Sequence, residues 1–273
     1  MLETPIGWGL LFLVGTFTGT LSGLLGIGGG LLMVPILTFF GIPLVEATAT
    51  SLIGVLLSSI SGTVQNFQTK SLNWKVSLLL ALFGIPTAQL GAWLGDRLPD
   101  AGLSLAFAAL LLITIYLMQL RQQLKRQQQK TQETNDSLLI SDEAIIGVTA
   151  ETFKPITGIG LLAGVLSGLF GVGGGVVMVP LQMLFLGEGI KAAVRTSLGA
   201  IVAIAISGLA QHAWNGNVLW VPGLCLGLGG ILGAQAGTRL LPKLPDRIIN
   251  LLFRSFLIAL AIYMTTRAFT AGS

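Results

Sequence analysis

Residues 21–35 read LSGLLGIGGGLLMVP, and residues 166–180 read LSGLFGVGGGVVMVP. Eleven of the fifteen positions are identical, and the other four exchange one apolar residue for another. Each copy sets three consecutive glycines in an apolar run: Gly28, Gly29 and Gly30, then Gly173, Gly174 and Gly175. Pro35 and Pro180 follow five residues after the last glycine. The correspondence continues at an offset of 145, then 146 after one inserted residue near Gly187. Thr50 and Ser51 match Thr196 and Ser197, Gln65 matches Gln211, Trp74 matches Trp220, Gln89 matches Gln235, and Pro99 matches Pro245. Polar residues that recur at matching places inside apolar runs mark an internal duplication. A chain of this kind is therefore two equivalent halves, each interrupted by one glycine break.

Composition places those halves in a membrane. Of the 273 residues 53% are hydrophobic and only 10% are charged, with mean hydropathy +0.85. A soluble surface needs more charge than that, and apolar runs of about 18 residues recur along the chain, each long enough to span. The alternating ten-residue segments of a transmembrane barrel are absent. The fold class expected is an all-α polytopic membrane protein. The net charge of +4 fits basic cytoplasmic loops, and no basic stripe with interleaved aromatics suggests nucleic acid. The single cysteine, Cys225, excludes an intrachain disulfide or thiolate cluster and is expected to pack as a small apolar residue. Glu3 precedes the first apolar run and no Lys or Arg does, which predicts a retained N-terminus.

Residues 1–120 form an N-terminal transmembrane repeat, 121–155 a cytoplasmic basic and Gln-rich linker, and 156–273 a C-terminal repeat. A short helix is expected near residues 142–153. The first apolar run, 7–25, is followed by the break and by about ten further apolar residues. At 1.5 Å per residue these reach roughly 15 Å, half the hydrocarbon thickness. Each half then reads as a glycine-broken, re-entrant or half helix plus three further spans. Lys and Arg decide the relative orientation. If the broken segment crosses once, the halves are parallel and the basic residues divide almost evenly. If it returns to its own side, the cytoplasm receives Lys70, Lys75, Arg121, Lys125, Arg126, Lys130, Lys154, Lys191, Arg195, Arg239, Lys243 and Arg247, and the outside keeps Arg97 and Arg267. Twelve against two predicts inverted-topology repeats.

Inverted repeats with broken helices meeting at mid-membrane are a recurrent transporter plan. Consecutive glycines permit φ > 0 and close approach to a ligand. The helix that starts after them offers free N–H groups and a partial positive charge, so two such ends would cradle an anion. Pro35 and Pro180 are read as lying near the starts of these helices, where a missing N–H costs little. The bland alternative is packing, since Gly15, Gly19, Gly23 and Gly229, Gly233, Gly237 show the small-residue spacing of close helix pairs. Candidate substrate contacts are Gly28, Gly29, Gly30, Gly173, Gly174 and Gly175, with Thr50, Ser51, Thr196, Ser197, Gln89 and Gln235. The threonines and serines would serve equally as caps, and the glutamines as helix–helix hydrogen bonds. Gln65, Asn66, Gln211 and His212 sit at span ends and are expected to be solvated; Arg195 reads as a positive-inside anchor. Glu46 and Glu188 fall in loops, and no carboxylate lies deep in a span. No metal-ligand spacing and no nucleotide motif occur, so no metal, cofactor or enzymatic activity is implied.

The doubled GIGGGLLMVP and GVGGGVVMVP (residues 26–35 and 171–180), each followed by ATATSL (47–52) or AAVRTSL (192–198), resemble the TauE/SafE family. These are sulfite and organosulfonate exporters, also called the toluenesulfonate uptake permease family. The resemblance covers nearly the whole chain. It implies a multi-pass transporter of the cell inner membrane, exporting a small sulfur-containing anion, with the lipid bilayer as its other partner, and it admits a homodimer. A passive anion channel, or a scaffold in which replacing Gly29 and Gly174 disturbs only folding, remains the alternative on the residues alone.

Overall fold

The computed structural model describes residues 4–132 and 149–270. Among them ten α-helices follow one another with no strand. The first half comprises α1 (Pro5–Leu25), α2 (Gly30–Phe39), α3 (Leu44–Gln68), α4 (Trp74–Gly95) and α5 (Asp100–Gln132). The second comprises α6 (Ala150–Phe170), α7 (Gly175–Leu181) with a π-helical turn Gln182–Leu186, α8 (Ile190–Trp214), α9 (Trp220–Leu240) and α10 (Asp246–Thr270). Seven of these helices are long and apolar enough to cross a membrane. Exposed Ile6, Leu13, Phe17, Leu78, Leu82 and Ile262 give the outer faces the apolar character a lipid surface requires. The protein is an all-α polytopic membrane protein.

Small residues set the packing. Along α1, Gly15 lies on Leu226, Gly19 on Gly230 and Gly23 on Ala234 of α9; in return Gly229, Gly233 and Gly237 lie on Phe12, Thr16 and Thr20. A methyl group on Gly19 would stand 2.5 Å from the Gly230 carbonyl oxygen, so the backbones touch with nothing between them. Both residue series ascend together, so α1 and α9 run parallel. The other half repeats this: Gly160, Gly164 and Gly168 of α6 lie on Leu80, Gly84 and Ala88 of α4. The packing reading of these glycines is correct, and each half's first helix embraces the other half's fourth.

Helix directions follow from the same contacts. Gly223 and Gly227 of α9 rest on Ile53 and Leu57 of α3, again in ascending order. Gly62 of α3 meets Leu198 of α8 and Gly208 of α8 meets Leu52 of α3, so these two equivalent central helices run antiparallel. The α5–α10 pair closes one side of the bundle through Leu103, Leu111, Leu257 and Met264, and Phe107 stacks on Phe170 at 5.0 Å.

Two expectations change at the linker. Helix α5 runs on to Gln132 and α6 starts at Ala150, so helical residues occupy both ends of the segment read as 121–155. The start of α6 is fixed by a capping box in which Thr149 and Thr152 satisfy each other's amides. Of the helix expected near 142–153, residues 150–153 form the first turn of α6, and residues 142–148 lie outside the described residues.

Candidate functional site

The two glycine breaks cross at the centre of the bundle. Helices α1 and α6 end on Gly26 and Gly171 with φ 68° and 67°. Positive φ recurs at Gly28 and Gly29 (76° and 83°) and at Gly173 and Gly174 (78° and 76°), a path open to glycine and costly for other residues. Gly28 and Gly173 face the same pair, Val55 and Ile201, themselves equivalent residues of α3 and α8. A methyl group on Gly30 would collide with the Gly171 carbonyl oxygen, and one on Gly175 with that of Gly26. Each short helix therefore begins against the carbonyl that ends the other half's long helix. The negative end of one dipole thus lies where the sequence reading places an anion.

Hydroxyls surround the crossing. Ser58 Oγ donates to the Gly28 carbonyl at 2.9 Å, and Ser51 Oγ donates to the Gly171 carbonyl at 2.9 Å. Ser22, Ser59 and Ser167 are buried near the breaks, and their hydroxyls have no partner among the described residues. Ser22 Cβ lies 3.5 Å from where a Gly29 side chain would start, and Ser59 Oγ 3.5 Å from the same point on Gly28. Ser22 and Ser167 are matching residues that the sequence reading passed over. Their signal was the Leu-Ser-Gly opening both copies of the motif.

The other predicted residues divide. Thr50 Oγ1 accepts from the Leu219 amide at 3.0 Å and so ties down the start of α9. Ser77 donates to the Thr196 carbonyl, and Ser197 Oγ accepts from Gln182 Nε2, both at 2.8 Å. These are helix-to-helix contacts. Gln89 is exposed on α4 and Gln235 half-buried on α9. Neither is among the groups packed on the break glycines. Pro35 and Pro180 are the sixth residues of α2 and α7, past the first turn rather than near the helix starts. There a proline removes an i→i−4 bond, and a π-helical turn begins two residues after Pro180, at Gln182.

The largest surprise lies at one face. A cavity of about 720 Å³ opens between the C-terminal end of α3, the start of α8 and the end of α9. Five cations line it, Lys70, Lys191, Arg195, Arg239 and Lys243, and no carboxylate does among the described residues. The sequence reading treated these as separate loop charges; packing gathers them. Gly26 of the first break lies against Val194, the neighbour of Arg195, so one residue of sequence separates a cavity-lining cation from a residue packed on the crossing. Asn66, expected to be solvated, lines this cavity at 3% exposure, and its Nδ2 has no partner among the described residues. Leaving a buried amide unbonded costs about 1–3 kcal/mol.

The equivalent place on the opposite face is filled. Asp96, capping the end of α4, accepts from Asn215 Nδ2 at one oxygen and from Asn217 Nδ2 at the other, the latter at 2.6 Å. His212, fully buried rather than solvated, places Nδ1 3.8 Å from Asp96 and Nε2 2.9 Å from the Gly168 carbonyl. Glu188 is in a loop, as expected, but is only 2% exposed; burial pushes its carboxyl up to about 7.

Comparison with known proteins agrees with this architecture. The chain is 28% identical to the probable membrane transporter protein YunE of Bacillus subtilis, over 91% of this chain and 94% of that one. It is equally 28% identical to the probable membrane transporter protein MJ0441 of Methanocaldococcus jannaschii, over 93% and 94%. No solved structure matches it significantly. Residues 11–264 match the family described as sulfite exporter TauE/SafE, and the chain belongs to that family of membrane transporters.

Proposed function

We propose that the chain is a secondary transporter exporting small anions, sulfite or an organosulfonate or a related sulfur-containing organic anion. It works by alternating access around the crossed glycine breaks, with the halves lying as inverted repeats across the bilayer. The antiparallel run of α3 and α8 supports the inversion. The observation that carries the reading is an asymmetry between the faces: one holds a cation-lined cavity, while at the equivalent place on the other Asp96 accepts from two side-chain amides. By the distribution of basic residues the open face is cytoplasmic, which is the loading side for export.

In this scheme an anion collected at the cytoplasmic cavity displaces the carbonyls of Gly26 and Gly171 from the helix starts at Gly30 and Gly175. The exposed amides and the hydroxyls of Ser22, Ser59 and Ser167 then replace part of its hydration shell. The halves rock, the Asp96 cluster parts, and the anion leaves on the far side. Flux into proteoliposomes from sulfite, sulfonate and carboxylate solutions, with and without a pH gradient, tests this. Saturable uptake with counterflow is expected. Linear, non-saturating flux would make the protein a channel, and no flux of any of these anions would refute transport of this class.

A further inference from the structure

We infer that the cation-lined cavity is a discrete binding site for a small oxyanion, such as a sulfonate or carboxylate head, held chiefly by Asn66 and Arg195. This deepens the transporter reading and rests on it for the site's purpose, though the geometry stands by itself.

The molecule carries its own template. On the far face His212, Asn215 and Asn217 surround the Asp96 carboxylate. Their equivalents at an offset of 146 are Asn66, Thr69 and Ser71, all lining the open cavity. The two turns superpose in their bonding. Ser71 N donates to Asn66 O at 3.0 Å, as Asn217 N does to His212 O at 3.1 Å. Thr69 N donates to Gln65 O, and Asn215 N to Gln211 O, both at 3.1 Å. One turn therefore closes on a carboxylate from its own chain. At the other, the residue matching Asp96 is Pro242, which has none to offer.

Three further substitutions between the halves prepare the second turn for a charge from outside. Arg195 stands where the first half has Ala49, Lys191 where it has Val45, and Lys70 where the other turn has Gly216. Lys70 is the one non-glycine with positive φ among the described residues, at 53° against 78° for Gly216. A lysine held where glycine fits without strain carries an ammonium to the cavity rim. At the base, the unpartnered Nδ2 of Asn66 supplies a buried donor. Arg195 supplies a planar fork suited to two oxygens of one ligand.

Isothermal titration of methanesulfonate into the full-length protein in detergent tests the site. Saturable binding is expected. Asn66→Asp, which places a fixed carboxylate at the turn, and Arg195→Ala, which restores the residue of the other half, should each weaken it at least tenfold. Arg195→Lys should recover part of the loss, and Arg247→Ala, outside the cavity, should leave affinity within twofold. Melting midpoints near that of the unmodified protein separate lost binding from lost folding, and the alanine already tolerated at residue 49 makes Arg195→Ala the safer variant. Unchanged affinity in both cavity variants overturns the proposal, as does no binding to the unmodified protein. Repeating the titration in phosphatidylglycerol nanodiscs separates sources: affinity abolished by that lipid would assign the cavity to a headgroup and overturn it as a solute site. Binding that follows the cavity residues without any flux would keep the site and refute the transporter reading. Flux with a cavity indifferent to both substitutions would do the reverse.

Discussion

Replacing Asp96 by alanine should open the face that is closed in this structure. The carboxylate accepts one bond from Asn215 and one from Asn217, and lies 3.8 Å from His212. Bonds to a charged group contribute about 1.5–3 kcal/mol when buried, but this side chain is 22% exposed, so about 1 kcal/mol each is a fair discount. Together the two bonds bias the closed arrangement by about 2 kcal/mol, roughly thirtyfold in population. Ala49 reports on it: it is fully buried and is the equivalent of Arg195, which lines the open cavity. In a Cys225→Ala background, Ala49→Cys should label slowly with a membrane-impermeant thiol reagent applied from outside. Adding Asp96→Ala should accelerate labelling at least tenfold, and Asp96→Asn less, because an amide keeps part of the bonding. Equal rates with and without Asp96 would refute the idea that this cluster closes the outer face.

Gly175→Ala should cost about 3 kcal/mol or more, since the new carbon would meet the Gly26 carbonyl and stand 2.8 Å from Ile27 Cα; Gly158→Ala, with nothing within 4 Å, should be neutral or stabilise by up to about 1 kcal/mol. Melting midpoints in detergent separate them, and equal midpoints would contradict the close crossing of the breaks. Glu188 has its carboxyl raised from 4.5 to about 7 by burial, so the folded state prefers the neutral acid. Stability is then greatest below the unfolded value, falls as pH rises from 4.5 to 7, and levels off above, a loss of up to about 3 kcal/mol. Glu188→Gln should flatten the midpoint between pH 5 and 8, and parallel profiles would refute the burial argument. Lys70→Gly should raise the midpoint by relieving a positive φ, worth about 1 kcal/mol, while weakening methanesulfonate binding a few-fold.

Whatever depended on periodicity and repetition was legible in the sequence. Spans, breaks and the small-residue faces of Gly15, Gly19 and Gly23 and of Gly229, Gly233 and Gly237 follow from local pattern, because a helix face is set by spacing along one chain; that these two faces pack on each other does not. The site was less legible, because it depends on which helices meet. Thr50 reads as a substrate contact until α9 is seen to start on its hydroxyl. Gln89 reads as a buried amide until α4 turns it outward. Lys70, Lys191, Arg195, Arg239 and Lys243 span more than half the chain in sequence, and nothing local announces that they share one cavity. Asp96 was passed over because it closes a turn, where an acidic residue is unremarked.

On the proposed alternating-access reading, the duplication itself explains why so few residues should govern the cycle. Two identical halves related by a two-fold axis would favour neither face, since the state open on one side and the state open on the other would be equal in energy. What separates them must be the places where the halves differ. Four such differences lie at or near the equivalent helix ends: Asp96 against Pro242, Asn66 against His212, Ala49 against Arg195, and Lys70 against Gly216. One turn encloses a negative charge of its own, and the other lies on a cavity lined by five cations. An anion that satisfies the second turn weakens the electrostatic reason for it to stay open. One oxyanion offsets part of the cavity's charge, and a bias of about 2 kcal/mol held by two amide hydrogen bonds is within reach of ordinary binding free energies. On this view the glycine breaks supply the hinge and its symmetry, and the unequal turns supply its direction.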